Sequence, residues 1–432
     1  MRHSATAVSV RHGRLPVRRA RGTVARLLAG ALAVLTVSAG AIAAYAVGDT
    51  WQSLKPSIHL VSASGKAITP PTVGAESGEV NILLAGTDTR TGQGGQFSTA
   101  DELAGSSGAG NNDVTMVLHL SADHKNATVI SIPRDLMVPV PSCPTANGAT
   151  SAQSSAQFNT TLSTGGLSCV VLTAEALTGL SIPYAAEISF DGVTAMSNAV
   201  GGVTVCLATP LVDPYVGLDL KAGEQTLVGS NALAFVRSRH GVGDGSDLGR
   251  ISNQQLFLSA LLRKVTSAGV LSNPLTLYTL AKAATSNIQL SDTLASPTTL
   301  VSIGLALKSV PLSDFVFVQY PAMTDPDNPN RVVPEPTGVE ALKRALTTDT
   351  PVVLTGTTGA GTEAAPGATA TPTPGASATA TPAPAATSTP SPTATAAAGS
   401  GTPTPAPTSS AVSLPSDVTG QTADQQTCTK GN

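Results

Sequence analysis

Val80-Asn81-Ile82-Leu83-Leu84-Ala85-Gly86-Thr87-Asp88-Thr89-Arg90 is the stretch on which the fold turns. It opens on residues 80–84, a short apolar run of the kind that forms a buried strand. Small and polar residues follow at once, with an acid and a base among them, and ligands of α/β sheets bind beyond strand ends. The pattern recurs along the chain. Residues 114–120, 128–132 and 315–318 read as buried strands rich in Val, Ile, Leu or Phe, while 172–177, 192–200 and 250–265 read as helices. The last helix carries Ile251, Leu258, Leu261, Leu262 and Val265 as one apolar stripe at helical spacing. Such alternation over residues 79–354 predicts one α/β sandwich domain, long enough for a sizeable core.

The flanks of this domain differ from it in composition. Residues 1–48 contain seven arginines and no Asp or Glu, and residues 27–48 are an apolar run of 22. That length spans about 30 Å of hydrocarbon as a helix, and Trp51 suits the far interface. The positive-inside rule keeps residues 1–26 in the cytoplasm and exports everything after the span, so a single-pass membrane protein with an extracytoplasmic domain is expected. A cleaved signal peptide is the alternative, since Ala41-Ile42-Ala43 and Ala44-Tyr45-Ala46 are small-x-small, but the run exceeds a 7–15-residue signal core. From 355 to 432 the chain collapses towards Ala, Thr, Pro, Ser and Gly, as in Thr369-Ala370-Thr371-Pro372, and a disordered tail is expected.

Charge and cysteines exclude several classes. Only 12% of residues are charged, about half the usual share, which argues against a cytosolic housekeeping enzyme. A net charge of −3 argues against a nucleic-acid binder. Four cysteines without CxxC spacing exclude a zinc site and a disulfide-dense mini-protein. In an oxidising compartment two of Cys143, Cys169 and Cys206 pair, with Cys143–Cys169 favoured; the third is then free or bonded to Cys428.

Arginine carries the chemistry. Outside the N-terminal zone there are eight, and Arg90, Arg134, Arg237, Arg239 and Arg250 fall in polar clusters at the ends of strands or the start of a helix. Arg237 and Arg239, two apart in a segment taken as extended, would face one side. Arg250 and Gln254 share a helix face, set away from the Ile251 stripe. Converging guanidinium groups suit phosphate, which they grip bidentately. Asp88 and Asp113 could hold Mg²⁺, which takes one or two carboxylates plus phosphate oxygens. Phosphoryl transfer needs such positioning and charge neutralisation. The plainer alternative is an Arg–Asp ion-pair network with no substrate. There is no P-loop and no GxSxG elbow. His240, beside two arginines, reads as a spacer rather than a base.

In this order and behind such an N-terminus, the clusters resemble the LytR-CpsA-Psr family of cell-wall enzymes. The matching pieces are residues 81–90, Asn112-Asp113-Val114, Ile132-Pro133-Arg134-Asp135, Phe158-Asn159 with Gly165-Gly166, Phe190-Asp191-Gly192 with Gly201-Gly202-Val203, residues 232–239, and Asp247-Leu248-Gly249-Arg250 with Gln254. The resemblance implies a three-layer αβα sandwich and a membrane-anchored, Mg²⁺-dependent phosphotransferase. Its substrate would be an anionic glycopolymer on a polyprenyl-phosphate or polyprenyl-pyrophosphate carrier, and its acceptor peptidoglycan, with no nucleic-acid partner. It further implies that Asp88 and Asp113 hold the metal. Arg90, Arg134, Arg237, Arg239, Arg250 and Gln254 would bind the pyrophosphate, with Asp247 orienting them or acting as a base. The chain departs from the family at Asn111-Asn112, Asn253 and Gln157, where many members carry a basic residue. Rival functions are a non-catalytic carrier-lipid binder, a polyprenyl-pyrophosphatase and a regulatory or structural wall protein.

Overall fold

The computed structural model describes residues 55–69, 78–89, 110–267, 274–366 and 411–432, with Gly48, Asp49 and Gln52. The chain divides into two units, Met1–Ser53 and Leu54–Asn432, and only those last three residues are described in the first. The expected membrane helix, Arg90 and residues 367–410 of the expected tail lie outside the described residues. Among the described residues no helix is long and apolar enough to cross a membrane. Everything below concerns the second unit.

Three strands come first: β1 (Val80–Thr87), β2 (Asn112–Leu120) and β3 (Ala127–Ile132), all within or next to the apolar runs that predict them. Helix α1 (Thr161–Thr178), β4 (Tyr184–Ile188) and α2 (Phe190–Ala199) follow. Next come β5 (Val203–Leu207), β6 (Leu211–Asp213), β7 (Leu218–Leu220), β8 (Gly223–Leu227) and α3 (Ser230–Arg237). The long α4 (Asp247–Thr266) precedes α5 (Pro274–Asn287), β9 (Ile288–Leu290), α6 (Pro297–Ser309), β10 (Phe315–Gln319) and α7 (Pro336–Thr347). Three short strands complete the set: β11 (Thr362–Ala364), β12 (Gly420–Thr422) and β13 (Thr427–Thr429).

Seven strands form the central sheet in the order β9-β4-β1-β2-β3-β10-β12. It is mixed: β1 is antiparallel to β2 and parallel to β4, while β3 is antiparallel to β2 and parallel to β10. Period-two alternation sends Leu83 and Ala85 of β1 to one face, where they meet Val170 and Ala174 of α1 and Leu342 of α7. Val80, Ile82 and Leu84 point to the other face, towards Leu258 and Leu262 of α4 and Ile303 of α6. Helices therefore cover both faces, as a sheet with buried central strands requires.

The expectation of a structureless segment from 355 to 432 is corrected at both of its described ends. β12 adds an edge strand to the central sheet beside β10, and β13 sits between β5 and β11 in a second sheet ordered β8-β5-β13-β11. The physical reason is local composition: Leu414, Val418, Ala423 and Cys428 are buried apolar residues, unlike the Thr/Pro/Ala run before them. Cys428 is bonded to Cys206 across 222 residues of chain, so the domain does not stop at 354. The favoured Cys143–Cys169 pair is also formed. A Cβ at Gly165 would stand 2.7 Å from the Cys143 Cβ, so the bridge needs glycine there. Replacing Cys206 and Cys428 by serine should cost about 2–5 kcal/mol of stability, measured by denaturant unfolding.

At the end of the sheet remote from the polar clusters, His119 of β2 is buried between two acceptors. Its Nδ1 lies 2.8 Å from Asn81 Oδ1 and its Nε2 3.3 Å from Asp349 Oδ1. The Asn81 amide nitrogen donates to Glu79 and to the Ser181 carbonyl, which leaves its oxygen to accept from His119. The hydrogen bond from His119 outweighs partial burial and, with the Ala122 N–H, holds the Asp349 carboxyl below its usual range. A depressed native value means this stabilisation is complete above about pH 4 and is lost as pH falls through the native pKa. Asp349 has φ 51°, which asparagine tolerates, so Asp349→Asn should flatten the acid limb of a thermal-stability profile between pH 6 and 3 without moving the backbone.

Candidate functional site

The polar clusters meet beyond one end of β1, β2 and β3. The register of β1 and β2 slips at Gly86/Thr87, where Thr87 pairs with Asn112. A bulge there re-aims the strand ends. Gly110 enters β2 at φ 70°, and a Cβ on it would lie 2.6 Å from Asp88 Oδ1, so only glycine fits. The Asn111 N–H donates to that same oxygen at 2.6 Å. The next residue, Asn112, is fully buried; its side-chain Oδ1 accepts from Leu162 N–H and the Thr161 hydroxyl, tying β2 to the start of α1. This loop sets Asp88 and Asp113 at one end of the strand pair.

Helix α4 supplies the opposing wall. Ser246 caps it by accepting from the Gly249 N–H, and Asp247 occupies its first turn, where the helix dipole favours an acid. Arg250, Gln254, Phe257, Leu258 and Leu261 all line one cavity, so the helix surface changes from cationic to aliphatic along its length. The expected separation of Arg250 and Gln254 from the apolar stripe is therefore corrected: successive positions four and three apart drift slowly round the helix, and Leu258 and Leu261 fall in line with them.

Arg237 and Arg239 reach the cavity differently from the extended-segment expectation. Ala232, Leu233, Ala234 and Phe235 form a continuous buried run inside α3, and Arg237 ends the helix with its cation at the negative end. Ser238 leaves the helix and Arg239 follows in the loop. The Arg237 guanidinium carbon lies 4.1 Å over the Phe190 ring. Asp213, which sequence reasoning missed, organises the loop. Its buried carboxylate accepts from the Ser238 hydroxyl at 2.8 Å and from the N–H groups of Tyr215, Arg239 and Gly241 at 3.1–3.2 Å. Burial raises its pKa, but those four hydrogen bonds prevail and hold it below the usual range. An acid set just before Pro214 in a short apolar strand was the available signal.

At the centre, Asp247 stands behind two arginines. Its Oδ1 is 2.6 Å from Arg250 Nη2 and 3.6 Å from Arg134 Nε. Arg134 also pairs with Asp113 at 3.0 Å and with Asp135 at 3.5 Å, while Arg250 donates to the Asp113 carbonyl at 2.8 Å. Burial disfavours the Arg134 charge, but Asp113, Asp247 and Asp135 overcome it and raise its pKa. Burial likewise pushes the Asp247 carboxyl above its usual range, against the pull of Arg250 and Arg134. Arg134 Nε, Arg250 Nε, Asn159 Oδ1 and both Asp247 oxygens are buried without an aligned hydrogen-bond partner among the described residues. Native interiors rarely tolerate such a concentration, which marks a site built for a ligand rather than a closed ion-pair network.

The positions that depart from the family pattern are engaged structurally. The Gln157 amide donates to Asp135, and Asn253 donates to the Phe235 carbonyl while accepting from Thr429 of β13 at 2.6 Å. Gln254 donates to the Val236 carbonyl at 2.9 Å.

The whole cavity holds about 480 Å³. Its cationic part is formed by Arg134, Arg237, Arg239 and Arg250, and Met116, Val193, Met196, Leu258, Leu261 and Ile288 line the apolar remainder. Among the described residues no three His, Cys, Asp or Glu side chains converge to cage a metal. Mg²⁺ needs only one or two carboxylates when phosphate and water complete its shell; Asp113 lines the cavity, and Asp88 stands at the same strand end with its Oδ1 held by the Asn111 N–H.

Fold and site together define an α/β domain with one cavity whose wall is part arginine and part aliphatic. The chain belongs to the LytR_cpsA_psr family, whose model matches residues 43–344. It is 34% identical over 279 residues to the probable cell wall biosynthesis protein LcpB of Corynebacterium glutamicum, covering 63% of this chain and 62% of that one. To the polyisoprenyl-teichoic acid–peptidoglycan teichoic acid transferase TagT of Bacillus subtilis it is 28% identical over 252 residues, covering 56% of this chain and 70% of that one. The crystal structure of protein gbs0355 from Streptococcus agalactiae shares the fold, with a TM-score of 0.50 at 21% identity over 63% of this chain and 87% of that one.

Removing the Asp247 charge should leave two buried guanidinium groups without their shared counter-ion. Asp247→Asn is expected to lower stability by about 3–5 kcal/mol in urea unfolding and to weaken pyrophosphate binding in calorimetry.

Proposed function

We propose that this chain is a phosphotransferase that moves a glycopolymer from a polyprenyl-pyrophosphate carrier onto a hydroxyl of peptidoglycan, at the outer face of the membrane to which residues 27–48 anchor it. The observation that carries this reading is the join between the arginine cradle and the aliphatic chamber along α4. A ligand that satisfies both is an amphiphile with a compact polyanionic head and a long hydrocarbon tail. The name of the TagT relative describes such a transfer, from a polyisoprenyl-linked polymer to peptidoglycan.

The reaction follows from the residues. Arg134, Arg237, Arg239 and Arg250 hold the pyrophosphate, and Gln254 stands beside them on the α4 face. The acceptor hydroxyl oxygen forms a bond to the phosphorus nearer the sugar as that phosphorus loses its bond to the bridging oxygen; polyprenyl phosphate leaves with the bridging oxygen, and its phosphate takes up the proton that the hydroxyl gives up. Negative charge grows on the phosphate oxygens during that step, and preformed guanidinium groups stabilise it without reorganisation. Asp247 lies behind Arg134 and Arg250 and is absent from the cavity wall, so its role is to orient them rather than to act as a base. Asp88 and Asp113 would hold Mg²⁺, which would supply further charge neutralisation when bound.

The test uses the full chain in detergent with a polyprenyl-pyrophosphate-linked glycan, a peptidoglycan acceptor and Mg²⁺. Arg237→Ala should cut transfer by about 10²–10³-fold with an unchanged melting temperature. Asp88→Ala should abolish the response to Mg²⁺. Transfer that survives Arg237→Ala at full rate would overturn the proposal, and tight lipid binding with no transfer would leave a carrier-binding protein in its place.

A further inference from the structure

Tyr215 is 80% exposed, the most exposed large apolar side chain among the described residues, yet it lines the same cavity as Arg237 and Arg239. It sits in the turn between β6 and β7, and its ring stacks on His240 with centroids 4.3 Å apart and planes inclined by 33°. The turn is not loosely held. Asp213, 1% exposed, binds the Tyr215 N–H with one carboxylate oxygen and the Arg239 and Gly241 N–H groups with the other. The same carboxylate thus ties the Tyr215 backbone to the loop that carries Arg239. The Asn432 amide donates to the His240 backbone carbonyl at 3.1 Å and ties that residue to the C-terminal segment. An exposed aromatic surface held this firmly beside a cationic cradle is an unmet contact, because rings gain by covering their faces.

We infer that Tyr215, backed by His240, is a stacking platform for a pyranose ring of the glycan bonded to the pyrophosphate or about to be. This rests on the pyrophosphate reading of the cleft and deepens it. The aliphatic lining residues are buried or half-buried, the arginines line the same cavity, and Tyr215 is its exposed aromatic member; the ligand likewise combines hydrocarbon, phosphates and sugar. A pyranose presents a face of C–H groups that covers an aromatic ring, while its hydroxyls stay in water at this open position. The sugar could be the first residue of the donor or a residue of the acceptor strand, and both share this chemistry.

Tyr215→Ala and Tyr215→Phe decide the matter with three measurements on the full chain in detergent: binding of polyprenyl pyrophosphate without sugar, binding of the same lipid bearing a glycan, and transfer rate against acceptor concentration. The expected result is that Tyr215→Ala weakens binding of the glycan-bearing lipid about tenfold, leaves the sugar-free lipid bound as in wild type, and is restored by Tyr215→Phe. A tenfold higher acceptor KM with both lipids bound normally would support the platform and assign it to the acceptor. Equal weakening of both lipids, or no change in any measurement, overturns it. Wild-type protein that binds neither lipid would instead overturn the pyrophosphate reading and the platform with it. The high exposure of Tyr215 makes loss of folding an unnecessary complication, and an unchanged melting temperature checks this.

Discussion

One carboxylate, Asp247, ties the start of α4 to the chain that leaves β3. It lies in the first turn of α4, within ion-pairing distance of Arg250 on its own helix and of Arg134, which follows β3. Arg134 then reaches Asp113 in β2, and Arg250 reaches the backbone of the same residue. Two strands and a helix are thus joined at their ends through a buried lattice of two cations and several anions. Buried ion pairs contribute little net stability against an apolar alternative, since desolvation offsets attraction. What the lattice supplies is geometry: guanidinium groups held near one another in spite of their repulsion, with nitrogen atoms still unsatisfied.

The surroundings serve that geometry. Asp213 performs for the Arg237–Gly241 loop what Asp247 performs for the helix start, and the four hydrogen bonds it accepts keep it ionised although buried. Phe190 backs Arg237 with the face of its ring. The C-terminal strands reinforce both: β13 is bonded through Cys428 to β5, and Thr429 donates to Asn253 on α4. A segment expected to be loose is instead a brace against the site, with β12 extending the central sheet at its edge.

Much of this was legible from residues alone. The strands at residues 80–84, 114–120, 128–132 and 315–318 are short apolar runs bounded by polar turns, and burial on both faces leaves a sheet no other way to read. The clusters at Asp88, Asp113, Arg134, Arg237, Arg239 and Arg250 stood out because arginine is scarce in the domain and because each follows or opens a regular element. The Cys143–Cys169 bridge, favoured among the pairings an oxidising compartment allows, is the one formed. The extended state of residues 235–239 was misjudged because Arg237 closes a helix whose buried Ala/Leu face is only eight residues long.

Periodicity therefore decided by itself the mixed α/β class, and the motif stretches, through their resemblance to known sequences, decided the family. Tertiary structure alone decided how they converge. The Arg134–Asp247–Arg250 lattice spans more than a hundred residues of chain, and Asp213 meets Ser238 across 25. Local pattern carries no information about such pairs, since periodicity reports which face of an element is buried and not what lies against it. The Cys206–Cys428 bond and the return of residues 411–432 belong to the same class: their partners are chosen by the packed domain, where a few apolar side chains and one cysteine outweigh the composition around them.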